Sequence, residues 1–147
     1  FRNVLLVAIM LVVGSFIMLL SEYFAKKDKR LGLKNGFIIG LFQCLALIPG
    51  MSRSGMTISG GLFTGLDRET ATRFSFLLSF PIIFGSGLKK AFDIQTFDLS
   101  FGLAFLTAFI VGLAAIHFLI KFLKHHSLRT FAWYRILLAC FIVYWFT

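Results

Sequence analysis

Charged side chains are scarce in this sequence, and acidic ones scarcer still: charged residues make up 14% of the chain, with six Asp and Glu against fifteen Lys and Arg. A water-soluble fold needs a polar coat that so few charges cannot supply. Of the 147 residues, 59% are hydrophobic and twenty are phenylalanine, against roughly 45–50% apolar in ordinary globular proteins. That excludes a soluble globular domain and leaves lipid as the solvent. Cysteine is almost missing too. Cys44 and Cys140 sit far apart in apolar stretches, with no CxxC pair and no metal-ligand spacing, so they read as small packing residues. Proline occurs twice, at Pro49 and Pro81, each within an apolar run that it must break or bend.

What is present is a series of apolar runs separated by basic loops. The formal net charge of +9 first suggests nucleic acid, but the basic residues cluster at the ends of apolar runs, where cytoplasmic loops and anionic headgroups account for them. The expected partner is therefore the bilayer, not nucleic acid. Val4–Leu20, extendable to Phe24, reads as a spanning helix. It is too long for the apolar core of a signal peptide and no cleavage-like segment follows it. The chain begins at Phe1 rather than Met, and is expected to be part of a longer protein. Phe74–Leu88, kinked at Pro81, Phe101–Ile120 and Phe131–Phe146 are expected to be three further spans. Trp133, Tyr134, Tyr144 and Trp145 form aromatic belts at the two ends of the last one.

Between the first two spans lie two apolar segments too short to cross, 36–48 and 55–66, separated by Pro49-Gly50 and the polar cluster Ser52-Arg53-Ser54. Charge decides whether they make one broken span or a hairpin entering and leaving on one side. As a hairpin, the loops at 26–34, 65–73 and 121–130 share a side and hold ten of the fifteen basic residues, against three opposite. As one broken span the division is seven against six. The hairpin gives the stronger positive-inside bias. The sequence thus predicts a single all-α integral membrane domain over residues 1–147, with about four transmembrane helices, one helical hairpin re-entrant from the cytoplasm, and both chain ends outside.

The predicted hairpin tip has the chemistry of a phosphate cradle. Arg53 places a permanent charge inside the bilayer, where insertion scales charge it about 2.5–3.5 kcal/mol, so it needs a partner or a polar cavity. Gly50 permits a sharp turn. Ser52 or Ser54 can cap the next helix, leaving the N–H groups of roughly Ser54 to Thr57 aimed into the turn with the positive end of the helix dipole behind them. The Arg53 guanidinium matches phosphate oxygens, and the hydroxyls of Ser52, Ser54 and Thr57 can add bonds. Elsewhere, Gly61 and Gly65 suit close packing within the hairpin, with a homodimer as the alternative. His117 reads as an interface residue, His125-His126 as solvated, and Arg135 as snorkelling to cytoplasmic headgroups.

At these residues a resemblance appears. ALIPGMSRSGMT, Ala46–Thr57, resembles the second signature, PGxSRSxxT, of the undecaprenyl-diphosphate phosphatase (bacitracin-resistance) family. Gly65–Gly85 is similar to the stretch that follows it, and Gln43 also fits. The resemblance implies half of an inverted-repeat fold, the C-terminal repeat, in a multi-pass protein of the bacterial inner membrane. It implies hydrolysis of undecaprenyl diphosphate, an isoprenyl diphosphate lipid, to the monophosphate that carries cell-wall precursors. Arg53, Ser52 and Thr57 would be catalytic, and Arg53, Ser52, Ser54, Gly55 and Gly50 would hold the phosphate. The family's first signature, glutamate-rich with a nearby histidine, has no match: Glu22 and Glu69 are the only glutamates. The resemblance also implies a divalent cation, Mg or Ca, whose ligands are not found in this chain, and no residue is assigned as a metal ligand. Two other readings stay open: a transporter or flippase for a polyprenyl phosphate, and a non-catalytic membrane subunit.

Overall fold

The computed structural model describes residues 4–25, 30–92 and 98–146. They form six α-helices: α1 (Val4–Phe24), α2 (Leu33–Leu45), α3 (Arg53–Phe63), α4 (Arg68–Ala91), α5 (Leu99–His125) and α6 (Arg129–Phe146). Among the described residues there is no β-strand. The protein is an all-α membrane protein. Three helices, α1, α4 and α5, are long and apolar enough to cross a membrane. The expected fourth, α6, forms over 18 residues but carries Arg129 and Arg135 and is not among them, so three helices among the described residues meet that measure. At 1.5 Å per residue α6 is still about 27 Å long.

The short pair forms as two separate helices, shifted from the expected bounds: α2 starts and ends three residues earlier than 36–48, and α3 begins at Arg53 rather than Gly55. The early end of α2 has a physical cause. Pro49 cannot continue a helix, and the chain tightens before it through bonds of the i+3 type, from the N–H groups of Ala46, Leu47 and Ile48 to the carbonyls of Gln43, Cys44 and Leu45. α3 ends in a Schellman motif, with Leu66 N–H on the Gly61 carbonyl and Gly65 N–H on the Leu62 carbonyl. Gly65 takes φ +86° there, which explains its glycine without any packing role.

α3 is the centre of the molecule. It packs on α1, α2 and α4, and all eight residues from Gly55 to Leu62 are buried. Close approach needs small side chains. A Cβ on Gly61 would stand 2.8 Å from the Ala71 Cβ of α4, and one on Gly60 would stand 2.9 Å from Phe42 of α2. The packing expected within the hairpin at Gly61 therefore faces α4 most closely. Buried hydroxyls add polar contacts, as those of Ser21 and Ser59 meet at 3.1 Å between α1 and α3. By contrast, the outer half of α4 and residues 99–111 of α5 are exposed apolar surface, which lipid rather than water can solvate.

A single carboxylate ties the ends of three helices. Glu22 of α1 is buried and accepts Arg68 Nη2 at 2.6 Å and Arg68 Nε at 2.9 Å, while Oε1 accepts the Leu128 N–H at the start of α6. Replacing it with alanine leaves that N–H and the inner face of Arg68 without an acceptor. Glu22→Ala is expected to cost about 1–3 kcal/mol for the stranded donors, read as a lower melting temperature in detergent. Glu69→Ala, whose pairs with Arg73 and Lys124 are largely exposed, is expected to change little.

Candidate functional site

The break between α2 and α3 places an arginine at the start of a buried helix. Gly50 turns the chain with φ +99°, and Ser52 holds φ +67°, the only non-glycine with positive φ among the described residues. Strain of this kind persists where surrounding contacts fix it, and is concentrated at functional sites. Ser52 is the N-cap of α3: its Oγ accepts from Gly55 N–H at 3.3 Å and its carbonyl from Met56 N–H at 3.0 Å. That settles the choice between Ser52 and Ser54 as cap, and it moves the open donors. The expected set was Ser54 to Thr57, yet Gly55 and Met56 are already bonded. The Arg53 and Ser54 N–H groups are the ones left at the first turn, beyond reach of any intrahelical carbonyl.

The side chains of the tip point to two sides of α3. Arg53 is half-buried on the α2–α4 side, where Nε and Nη2 donate to Gln43 Oε1 at 3.4 and 3.3 Å and Nη2 donates to the Leu78 carbonyl at 3.2 Å. Nη1 has no acceptor among the described residues. Leu78 lies next to Leu77, whose carbonyl Pro81 cannot bond because proline lacks an N–H. α4 nonetheless runs through Pro81 as one helix. Thr57 sits one turn further along α3, buried, with Oγ1 2.9 Å from the Arg53 carbonyl and 2.5 Å from Ser75 Oγ. Its hydroxyl ties α3 to α4.

On the other side, Ser52, Ser54 and Gly55 line a cavity of about 260 Å³ whose opposite wall is Arg135 and Tyr134 of α6. Arg135 does not snorkel. It is buried, at 8% exposure, and Nη2 donates to the Gly50 carbonyl at 2.5 Å and to the Leu11 carbonyl at 3.5 Å. The expectation failed because α6 packs against α1 along its length, turning Arg135 inward. Gly14 of α1 makes the room, since a Cβ there would stand 2.8 Å from Arg135 Nη2 and 2.9 Å from the Met51 carbonyl. Sequence reading treated Arg135 by its distance from the helix end; the signal available was the same one that singled out Arg53, a guanidinium inside an apolar run. The six expected site residues are thus neighbours at one tip, but Arg53 and the two serines serve opposite sides. Gly50 is engaged through its carbonyl with Arg135.

Comparison with known proteins decides what family this tip belongs to. The family model for bacitracin resistance protein BacA matches residues 1–141. The chain belongs to the BacA family. Relatives include the undecaprenyl-diphosphatase of Corynebacterium efficiens, 48% identical over 92% of this chain and 50% of that protein. That of Corynebacterium striatum is 46% identical over 97% and 54%, and that of Mycolicibacterium vanbaalenii 41% over 97% and 55%. The chain spans about half the length of the curated relatives it matches. Within this BacA chain the described carboxylates are all engaged: Glu22 and Glu69 in ion pairs, Asp67 and Asp98 in capping α4 and α5. No group of three or more His, Cys, Asp or Glu that could hold a metal exists among the described residues. The described residues therefore offer no set that fits a divalent cation.

Proposed function

We propose that this protein acts on undecaprenyl diphosphate in the bacterial inner membrane, releasing its terminal phosphate and returning the lipid phosphate that carries cell-wall precursors. The observation that carries the reading is Arg53 at the open N-terminus of a buried helix, in a PGMSRSG turn, in a BacA-family chain whose relatives are named undecaprenyl-diphosphatase. A helix N-terminus with free N–H groups attracts phosphate oxygens, and a guanidinium beside it adds charge where charge develops as the anhydride bond breaks. Arg53 would bind the diphosphate and stabilise the transition state. Ser52 would hold the turn through its cap and orient a phosphate oxygen through its own proton, and Ser54 would add a hydroxyl. Thr57 would act by fixing Arg53's own carbonyl and the α3–α4 contact. No nucleophile is assigned, and the acid or base that completes hydrolysis is not supplied by the described carboxylates. This chain is the diphosphate-gripping part of the reaction.

A chimera tests the reading without assuming what else the protein contains. Substituting this chain for the segment it matches in the C. efficiens undecaprenyl-diphosphatase should retain phosphate release from a C15 isoprenyl diphosphate. A folded chimera that moves labelled lipid across vesicles and releases no phosphate would instead support a flippase. The re-entrant hairpin has its own test. In a variant lacking Cys44 and Cys140, single cysteines at positions 30, 73 and 127 are expected to be labelled by an impermeant reagent from the same face. Labelling of 30 and 73 from opposite faces would make the α2–α3 pair one broken span.

A further inference from the structure

Arg53 accounts for one side of the tip; the other side holds a cation that the proposed chemistry does not use. Arg135 is more than nine-tenths buried in an apolar helix, and its Nε is buried with no hydrogen-bond partner. Its acceptors are two carbonyls, those of Gly50 and Leu11. The ion pairs among the described residues all run to Glu22 or Glu69, and neither is paired with Arg135. A guanidinium held away from water without a counter-charge is costly. Carbonyl dipoles offset part of that cost, and an anion in contact would offset more. The space for one is present. The cavity beside Arg135 has a volume of about 260 Å³, several times the roughly 30 Å³ share of one water. Its other polar lining is Tyr134 of α6 and, at the N-terminus of α3, Ser52, Ser54 and Gly55, a helix end that favours negative charge for its own reasons. The Ser54 hydroxyl makes no bond to the described residues and is free to donate.

We infer that this cavity is a second phosphoryl subsite, in which the buried Arg135 guanidinium and the Ser52–Ser54 turn hold an anionic headgroup on the side of α3 opposite Arg53. The rest of its lining is apolar, with Leu119 and Leu123 of α5 and Phe131 of α6, as the first carbons of a lipid chain require. A headgroup with two phosphoryl units carries one for each side of the helix start, the Arg53 side and the Arg135 side. A monophosphate carries a single unit. The subsite rests on the proposed function for the identity of the headgroup, but the cavity and its buried cation stand apart from it.

Equilibrium binding of radiolabelled C15 isoprenyl diphosphate, C15 isoprenyl monophosphate and inorganic diphosphate to the purified chain in detergent micelles tests this. Arg135→Gln is expected to weaken binding of the C15 diphosphate at least about tenfold, ~1.4 kcal/mol, with Arg135→Lys closer to wild type because it keeps the charge. Leu119→Trp, which enlarges a cavity-lining residue of α5 outside the tip, is expected to weaken the lipid diphosphate as well. Inorganic diphosphate that binds as tightly as the lipid would assign the subsite to free phosphoryl anions, and weaker binding would assign it to a lipid headgroup. Should Arg135→Gln bind like wild type while Arg53→Gln loses binding, the second subsite is overturned and the reading of Arg53 stands. Should Arg135→Gln fail to fold, Leu119→Trp decides, and wild-type binding by it overturns the subsite. Failure of the wild-type chain to bind any of the three ligands overturns both.

Discussion

Arg53→Ala in the chimeric enzyme is expected to reduce kcat for phosphate release by roughly 100- to 1,000-fold, the loss seen when one donor to a developing charge is removed. Arg53 is the first residue of α3, so its guanidinium and the free N–H groups of Arg53 and Ser54 belong to the same helix start. Its bonds to Gln43 and the Leu78 carbonyl fix the plane of the fork, and Nη1 is left for the ligand. Arg53→Lys keeps the charge but not the planar pair of donors, and is expected to fall between wild type and Arg53→Ala. The loss is not expected to come from unfolding. Arg53 is half-buried, and its two protein acceptors are a neutral amide and a backbone carbonyl, so the melting temperature should move far less than the rate. Normal turnover in Arg53→Ala would remove the assigned role.

Gly50→Ala is expected to be the most destabilising single methyl group in the turn. The backbone there has φ +99°, and the added Cβ would lie 2.7 Å from the Val7 carbonyl oxygen and 3.0 Å from the Met10 Cβ of α1. Those are backbone and near-backbone atoms of a long helix and cannot swing aside. Backbone strain costs about 1–3 kcal/mol, and overpacking adds typically another 1–3 kcal/mol. Relief would push the turn off α1, pulling the Gly50 carbonyl from Arg135 and releasing the strained Ser52 cap. Stability and isoprenyl diphosphate binding should therefore fall together. Gly40→Ala is the control. A Cβ at Gly40 meets nothing within 4 Å, and alanine is the better helix former by up to about 1 kcal/mol, so its melting temperature should hold or rise.

The helices were legible because lipid makes their signal coarse. Runs such as Val4–Phe24 need only length and apolarity to be recognised, and two half-length runs around Pro49-Gly50 mark a hairpin. The tip was legible because Gly50, Ser52 and Arg53 each have a physical reason to be there. What sequence could not supply was direction. Arg53 and Ser54 are adjacent in the chain, yet one faces α4 and the other faces α6, since consecutive helical residues point about 100° apart. Arg135 was misread for the same reason. Its depth in α6 is a sequence property, whereas its orientation is set by the room at Gly14 of α1 and by the Leu11 and Gly50 carbonyls. Glu22 carries no assigned role in the sequence, and only packing brings Arg68 and the Leu128 N–H to it. In each case the missing information is which side of a helix meets a neighbour distant in sequence.

The most direct measurement is headgroup-specific binding: the affinity of the purified chain for a C15 isoprenyl diphosphate relative to the C15 alcohol, in wild type and in Arg53→Ala. A marked preference for the diphosphate that disappears in Arg53→Ala is expected if the guanidinium at the hairpin tip grips the lipid's phosphate. A preference that survives intact in folded Arg53→Ala, or no preference in the wild type, would contradict it.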